Sequence, residues 1–224
     1  MSRLRPHLLS VFFFAVFALA LVGQSVAGLA QFNADQIAHG NPVVAYSTFL
    51  SSSDFVVDVA ENWQSEFLQF FLFILATIWL IQAGSPESKK QGDEGIGTDE
   101  EQLLGRHALR HSPRWAKVGG WRTTLYSNSL LIVMGLVFAL SWLVQSMAGH
   151  VVYNQDQADH GESAISWGAY LASPDFWNRT LQNWQSEFLA VGCMVAFSIF
   201  LRQRGSAESK PVGTPHTQAS VESE

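Results

Sequence analysis

The chain has 224 residues, of which 48% are hydrophobic and only 14% charged, with a formal net charge of -6. That balance excludes disorder over most of the length, because disordered chains combine low hydrophobicity with high charge. A single cysteine, Cys193, excludes a disulfide framework and any multi-cysteine metal site, and the acidic total argues against nucleic acid as the main partner.

The first element begins after Arg3 and Arg5. Leu8 to Val26 is an uncharged apolar run, and about 19 helical residues nearly span a hydrocarbon core of about 30 Å. Its flanks, basic before and small-residue after (Ser25-Val26-Ala27-Gly28), are those of a signal peptide. The equivalent run 130–148 lies mid-chain, where a cleaved signal has no place, so 8–27 is read as a retained membrane helix. An outer loop, 28–62, follows. In it Asn33 is an N-cap candidate, with Gln36 three residues on as in a capping box and Gly40 as the stop. Tyr46 and Phe49 suit the headgroup level. Ser52-Ser53-Asp54 starts a second helix, which runs through Asn62-Trp63-Gln64-Ser65-Glu66-Phe67-Leu68 into a shorter apolar block, Phe67 to Ile81, and spans over 63–82. A soluble protein's buried helix is the competing reading of so short a block.

After this first copy (1–90) comes a linker, 91–127. Its acidic Gly-rich start is flexible. Leu103 to Arg122 then carries five Lys or Arg with Trp115 and Trp121, and is expected to lie on an anionic inner leaflet. The second copy, 128–210, repeats the plan: a span at 129–148, an outer loop at 149–183 with aromatic Trp167 and Tyr170, a Ser173-Pro174-Asp175 helix start, and a span at 184–202. The shorter apolar block there is Phe188 to Leu201. Residues 211–224 are expected to be a disordered tail.

The copies align without a gap at an offset of 121, and from 24 to 89 the identities number 28 of 66 pairs. Most are polar, so apolar composition does not explain them: Asn33, Asp35, Gln36, His39 and Gly40 recur as Asn154, Asp156, Gln157, His160 and Gly161, and the string NWQSEFL recurs whole. Lys and Arg cluster in the N-terminus, linker and tail, and the two outer loops hold only Arg179. The positive-inside rule then places both termini in the cytoplasm. Each copy starts on the same side, giving parallel rather than inverted repeats.

Candidate chemistry gathers on the outer side. Asp35 and His39, and Asp156 and His160, are four apart on one helix face. Glu66 and Glu187 stand at the membrane border, with Asn62 and Asn183 one turn earlier. Such a polar cluster suits a proton-responsive site or, more weakly, a divalent metal. The plainer account is helix-end pairing. Trp63, Trp184, Trp115 and Trp121 are read as interface anchors.

Gly23-Gln24-Ser25 closing an apolar helix, the Asp-Gln…His-Gly loop, NWQSEFL and GSxESK together resemble a bacterial family of uncharacterised four-helix membrane proteins known only as a domain of unknown function. The resemblance implies an integral membrane protein of bacterial type and assigns no activity, cofactor or site residue.

The expected fold is all-α: four transmembrane helices as two tandem helix-loop-helix repeats in a bacterial inner membrane. No nucleophile-base pair, phosphate loop or cofactor motif is visible, so no enzyme activity and no cofactor are expected. The expected partners are membrane lipids and a membrane-protein partner or second copy, with no nucleic acid. The alternative is a small transporter or channel built around the polar cluster.

Overall fold

The computed structural model describes residues 5–219. Arg3, used above for orientation, and residues 220–224 of the expected tail lie outside the described residues. Within them all regular structure is helical and no strand occurs. Two 3-10 turns, Arg5–His7 and Gly105–His107, accompany α1 (Leu8–Ala38), α2 (Tyr46–Leu50), α3 (Ser53–Ala76), α4 (Arg114–Lys117), α5 (Gly120–Ser127), α6 (Ser129–Asp159), α7 (Trp167–Leu171) and α8 (Pro174–Phe200).

Helices α1 and α6 have 31 residues each, or about 46 Å at 1.5 Å per residue. Both run a full three turns beyond the expected ends at 27 and 148. The reason lies in the next residues. Gly28 and Gly149 each cost a helix only about 1 kcal/mol, and nothing after them breaks it until Gly40 and Gly161. Those glycines adopt φ of +76° and +73°, a left-handed conformation that favours glycine. The amides behind them close both helices with paired reverse bonds: Asn41 N–H to Gln36 carbonyl at 2.8 Å and Gly40 N–H to Ile37 carbonyl at 3.0 Å, matched by Glu162 to Gln157 at 2.8 Å and Gly161 to Ala158 at 3.0 Å. The stop was legible. The N-cap assignment of Asn33 and Asn154 was not correct, since both lie inside continuous helices.

The second long helix of each copy begins as expected. Ser52 Oγ accepts from Phe55 N–H at 3.3 Å and Ser173 Oγ from Phe176 N–H at 3.2 Å, with Pro174 opening α8. Both helices pass unbroken through NWQSEFL. Helix α3 ends at Ala76, short of Ile81, while α8 reaches Phe200. Two helices, α1 and α6, are long and apolar enough to cross a membrane, and only 6% and 17% of their most apolar stretches are buried within the chain.

The chain divides into two compact units. One comprises Met1–Ala60 and Val144–Tyr170, the other Glu61–Leu143 and Leu171–Glu224. In the first unit Phe49, Val57, Ala60, Ala148 and Tyr170 are buried together with polar Ser25, Gln145 and Ser146. In the second, Leu68, Phe176 and Ile199 share the interior with Gln64, Ser65, Ser141, Ser173, Thr180 and Ser198. Large apolar side chains such as Leu9, Phe14, Leu19, Leu136 and Leu140 face outward. Ser, Gln and Thr side chains thus share the interior with a few large rings while many bulky apolar side chains face outward, unlike a water-soluble core. The tail segment 211–219 folds back rather than trailing away: Lys210 Nζ donates to the Pro215, His216 and Gln218 carbonyls.

Candidate functional site

In the first unit, α2 and α7 carry aromatic residues expected at the headgroups, yet Phe49 and Tyr170 are 3% and 1% exposed. Each ring lies on a glycine of the long helix before it. A Cβ at Gly28 would stand 2.9 Å from Phe49 Cζ, and one at Gly149 would stand 2.4 Å from the Tyr170 hydroxyl. The missing side chain at 28 and 149 is therefore a slot for the ring. Tyr170 also packs against His150 and Tyr153, with centroids 5.9 and 5.5 Å apart, and Phe49 against Phe32 and Phe55 at 5.6 and 5.4 Å. Beside each slot the Gln-Ser serine meets the polar tip of a second aromatic. Ser25 Oγ and the Tyr46 hydroxyl are 2.7 Å apart, and Trp167 Nε1 donates to Ser146 Oγ at 3.3 Å.

Asn33 and Asn154 do equivalent work one turn on. Each amide grips one loop residue from both sides: Val44 N–H to Asn33 Oδ1 at 2.8 Å with Asn33 Nδ2 to the Val44 carbonyl at 3.1 Å, and Ile165 with Asn154 at 2.9 and 3.1 Å. A side chain that binds backbone as another backbone would holds the loop without a strand.

Within the first unit the expected polar residues form two local pairs. His39 Nδ1 lies 2.8 Å from the Asp35 carbonyl and His160 Nδ1 2.8 Å from that of Asp156. Both pairs belong to the first unit, and Glu66, Glu187, Asn62 and Asn183 to the second. Among the described residues no group of three or more His, Cys, Asp or Glu could hold a metal ion. The hydrogen bond to the Asp156 carbonyl, reinforced by the Asp156 carboxylate at 3.5 Å, holds the His160 imidazole above its usual 6.5. A folded value above the unfolded one means that this stabilisation is complete below the unfolded pKa and disappears as pH rises through the folded value. An NMR titration of the His160 ring is therefore expected to fall in midpoint with Asp156→Asn, and an unmoved midpoint would contradict the pairing.

In the second unit the two NWQSEFL strings are used unequally. Gln64 is fully buried and its Oε1 accepts from Trp184 Nε1 at 2.7 Å, whereas Gln185 is exposed. Trp184, read as an anchor, instead joins an aromatic cluster around Trp142, whose ring lies 5.6 to 6.1 Å from Phe138, Phe176, Trp177 and Trp184. Trp142 Nε1 donates to buried Thr180 at 3.4 Å. Trp63 is 41% exposed. Glu66 is exposed and Glu187 half-buried. Neither takes part in an ion pair among the described residues. Asn183 Nδ2 bonds back to the Arg179 carbonyl at 3.1 Å, and Asn62 carbonyl accepts from Ser65 Oγ at 2.9 Å. Arg179, the lone Lys or Arg of residues 28–66 and 149–187, lies 3.6 Å from Glu61 of α3 and 3.4 Å from Asp175 of its own helix.

The GSxESK strings now have a physical account. Gly84 and Gly205 turn with φ of +82° and +85°. The first serine accepts from the glutamate amide, Ser85 from Glu87 at 3.2 Å and Ser206 from Glu208 at 3.1 Å. The second accepts from the glutamine two residues before the glycine, Ser88 from Gln82 at 2.8 Å and Ser209 from Gln203 at 2.9 Å. The lysine then ties down carbonyls ahead: Lys89 that of Gly95, Lys210 those of the tail and of Gly84. Burial, and secondarily the charge of Glu208, push the Glu87 carboxyl up.

Trp115 and Trp121 lie outside these arrangements. They meet edge to face at 6.2 Å, with Arg122 over the Trp121 ring at 5.4 Å.

Residues 1–221 match the family described as Domain of unknown function (DUF6766), and the chain belongs to it. No curated protein and no solved structure matches the chain. Its molecular function is thus unknown within the family as described. What the sequence did not reveal is the pairing of Gly28 with Phe49 and Gly149 with Tyr170, although each member recurs at the 121 offset as glycine or as an aromatic. It also passed over Trp142, whose indole N–H inside an apolar run demands a partner.

Proposed function

We propose that the chain is a non-enzymatic, multi-pass protein of a bacterial inner membrane that acts through association with lipid or with a membrane-protein partner. It has four spans in two tandem copies of parallel topology, with both termini and the linker cytoplasmic. The observation that carries this reading is the reversed burial. In water an apolar exterior on this scale is an aggregation surface. In lipid it is the solvated face, and small or hydroxylated residues pack the helices. A signal sequence accounts for α1 alone and leaves α6 unexplained. The recurrence of the Asn33, His39, Ser52 and Ser88 hydrogen bonds at Asn154, His160, Ser173 and Ser209 supports two copies of one unit. Helices α3 and α8 complete the four spans if each enters the membrane upstream of its short apolar block, near Trp63 and Trp184.

Alkaline carbonate should leave the protein in the membrane pellet, and a reporter fused after Glu224 should read as cytoplasmic. Release by carbonate or an external reporter overturns the respective part. Crosslinking in native membranes identifies the partner.

The second reading, a small transporter or channel, draws on Glu66 and Glu187, acidic residues that stand at the same place in the two NWQSEFL strings just before the short apolar blocks. Because neither glutamate is in an ion pair among the described residues, Glu66→Gln with Glu187→Gln is expected to leave melting in detergent nearly unchanged. Dye-reported proton or cation flux into proteoliposomes decides the function. Wild-type flux above empty liposomes that the double variant abolishes would establish transport and retire the association reading.

A further inference from the structure

We propose that residues 103–127 form a docking surface for the anionic headgroups of the cytoplasmic leaflet, with Trp115 and Trp121 as its wedge. The inference rests on the membrane reading above and adds to it a stated partner, an anionic lipid bilayer. Three observations carry it. The first is charge. Arg106, Arg110, Arg114, Lys117 and Arg122 are all exposed, and the sequence holds no acidic residue between Glu101 and Asp156. Among the described residues none of these five is in an ion pair, so their charge is uncompensated.

The second is exposed apolar surface in the same short stretch. Trp121 is 68% exposed, and Leu109, Trp115, Val118, Leu125 and Tyr126 are exposed with it. The two indoles are in contact and the Arg122 guanidinium covers one of them. Segment folding, not chance, presents them together: Thr123 Oγ1 donates to the Trp115 carbonyl at 2.6 Å and Lys117 Nζ to the Arg110 carbonyl at 2.7 Å. Amphipathic indole beside guanidinium is the chemistry of the headgroup layer, where ring and charge are both satisfied.

The third is position. Helix α5 ends at Ser127, and α6 starts at Ser129. Trp121 is eight residues from the start of α6, within about 29 Å even if the chain between were fully extended. The patch is therefore held at the mouth of a span, where each basic residue gains about a fivefold factor in affinity for an anionic leaflet. Nucleic acid would also attract five cations. It is disfavoured by Asp93, Glu94, Asp99, Glu100 and Glu101 just upstream in the same linker.

The test uses the full chain in nanodiscs of phosphatidylcholine alone or with phosphatidylglycerol, read by amide hydrogen exchange over 103–127. Exchange is expected to be at least about fivefold slower in the anionic discs, the factor for a single engaged base. The difference should shrink with added salt. It should also be lost when Arg106, Arg110, Arg114, Lys117 and Arg122 are all replaced by glutamine. The salt series needs no variant, so the outcome stands even if that variant folds poorly. Equal exchange in the two discs overturns the proposal, as does a salt-insensitive difference. Tighter binding of the detergent-solubilised chain to a short RNA than to anionic vesicles also overturns it. A chain that carbonate extracts from native membranes instead refutes the membrane reading, so the two failures are distinguishable.

Discussion

Tyr170→Ala is expected to cost about 3–5 kcal/mol of fold stability, the range for removing a large buried aromatic. The ring is 1% exposed and fills the slot over Gly149, with His150 and Tyr153 on its flanks. Tyr170→Phe keeps the ring and forfeits only the hydroxyl, about 0.5–1.5 kcal/mol. The reciprocal change, Gly149→Ala, drives a Cβ to 2.4 Å from that hydroxyl but only to 3.2 Å from Cζ. The double variant Gly149→Ala with Tyr170→Phe should therefore cost less than the sum of the two singles, the signature of direct contact. SDS-induced unfolding in mixed micelles measures all three. An alanine variant that unfolds like the parent would mean that this ring does not close the first unit.

Trp184→Phe is expected to cost about 1–3 kcal/mol, the penalty for leaving a buried polar group unsatisfied. Gln64 has no exposed surface, and its Nε2 is without a partner, so the indole N–H at 2.7 Å is the bond that satisfies its amide. Phenylalanine retains most of the packing on Trp142 but donates nothing. Removing both partners reverses the loss: Trp184→Phe with Gln64→Leu should return close to the parent, since an apolar pair of similar shape carries no desolvation penalty. The same micelle assay gives the coupling energy. Additive losses would show that the bond contributes nothing and that the ring alone matters.

These two sites mark how far the letters lead. Apolar length located α1 and α6, and the Gly40 and Gly161 stops were readable because a left-handed residue has few alternatives. Ser52 and Ser173 were readable as caps for the same local reason. Asn33 and Asn154 misled because asparagine serves equally as a cap and as a clamp on a distant carbonyl, and only the path of the chain decides which. Phe49 and Tyr170 were placed at the headgroups on residue type, but a glycine 21 residues earlier, on another helix, drew each of them inward. The polar cluster was assembled from residues on one side of a membrane, a coarser statement than contact. Asp35 with His39 and Asp156 with His160 are the pairs that share a helix turn.

The unequal use of NWQSEFL has a consequence for how this chain tolerates change. Seven identical letters stand at 62–68 and at 183–189, yet position 64 is sealed inside and 185 faces out. The same glutamine is therefore expected to tolerate substitution differently at the two positions. Drift at 185 is cheap and drift at 64 is not, while Trp184 is restrained by a partner in the other copy. Two identical strings with such crossed dependence are not interchangeable. Transplanting one copy's string into the other leaves the sequence identical and the mutational tolerance of each site unchanged, because the tolerance belongs to the surroundings.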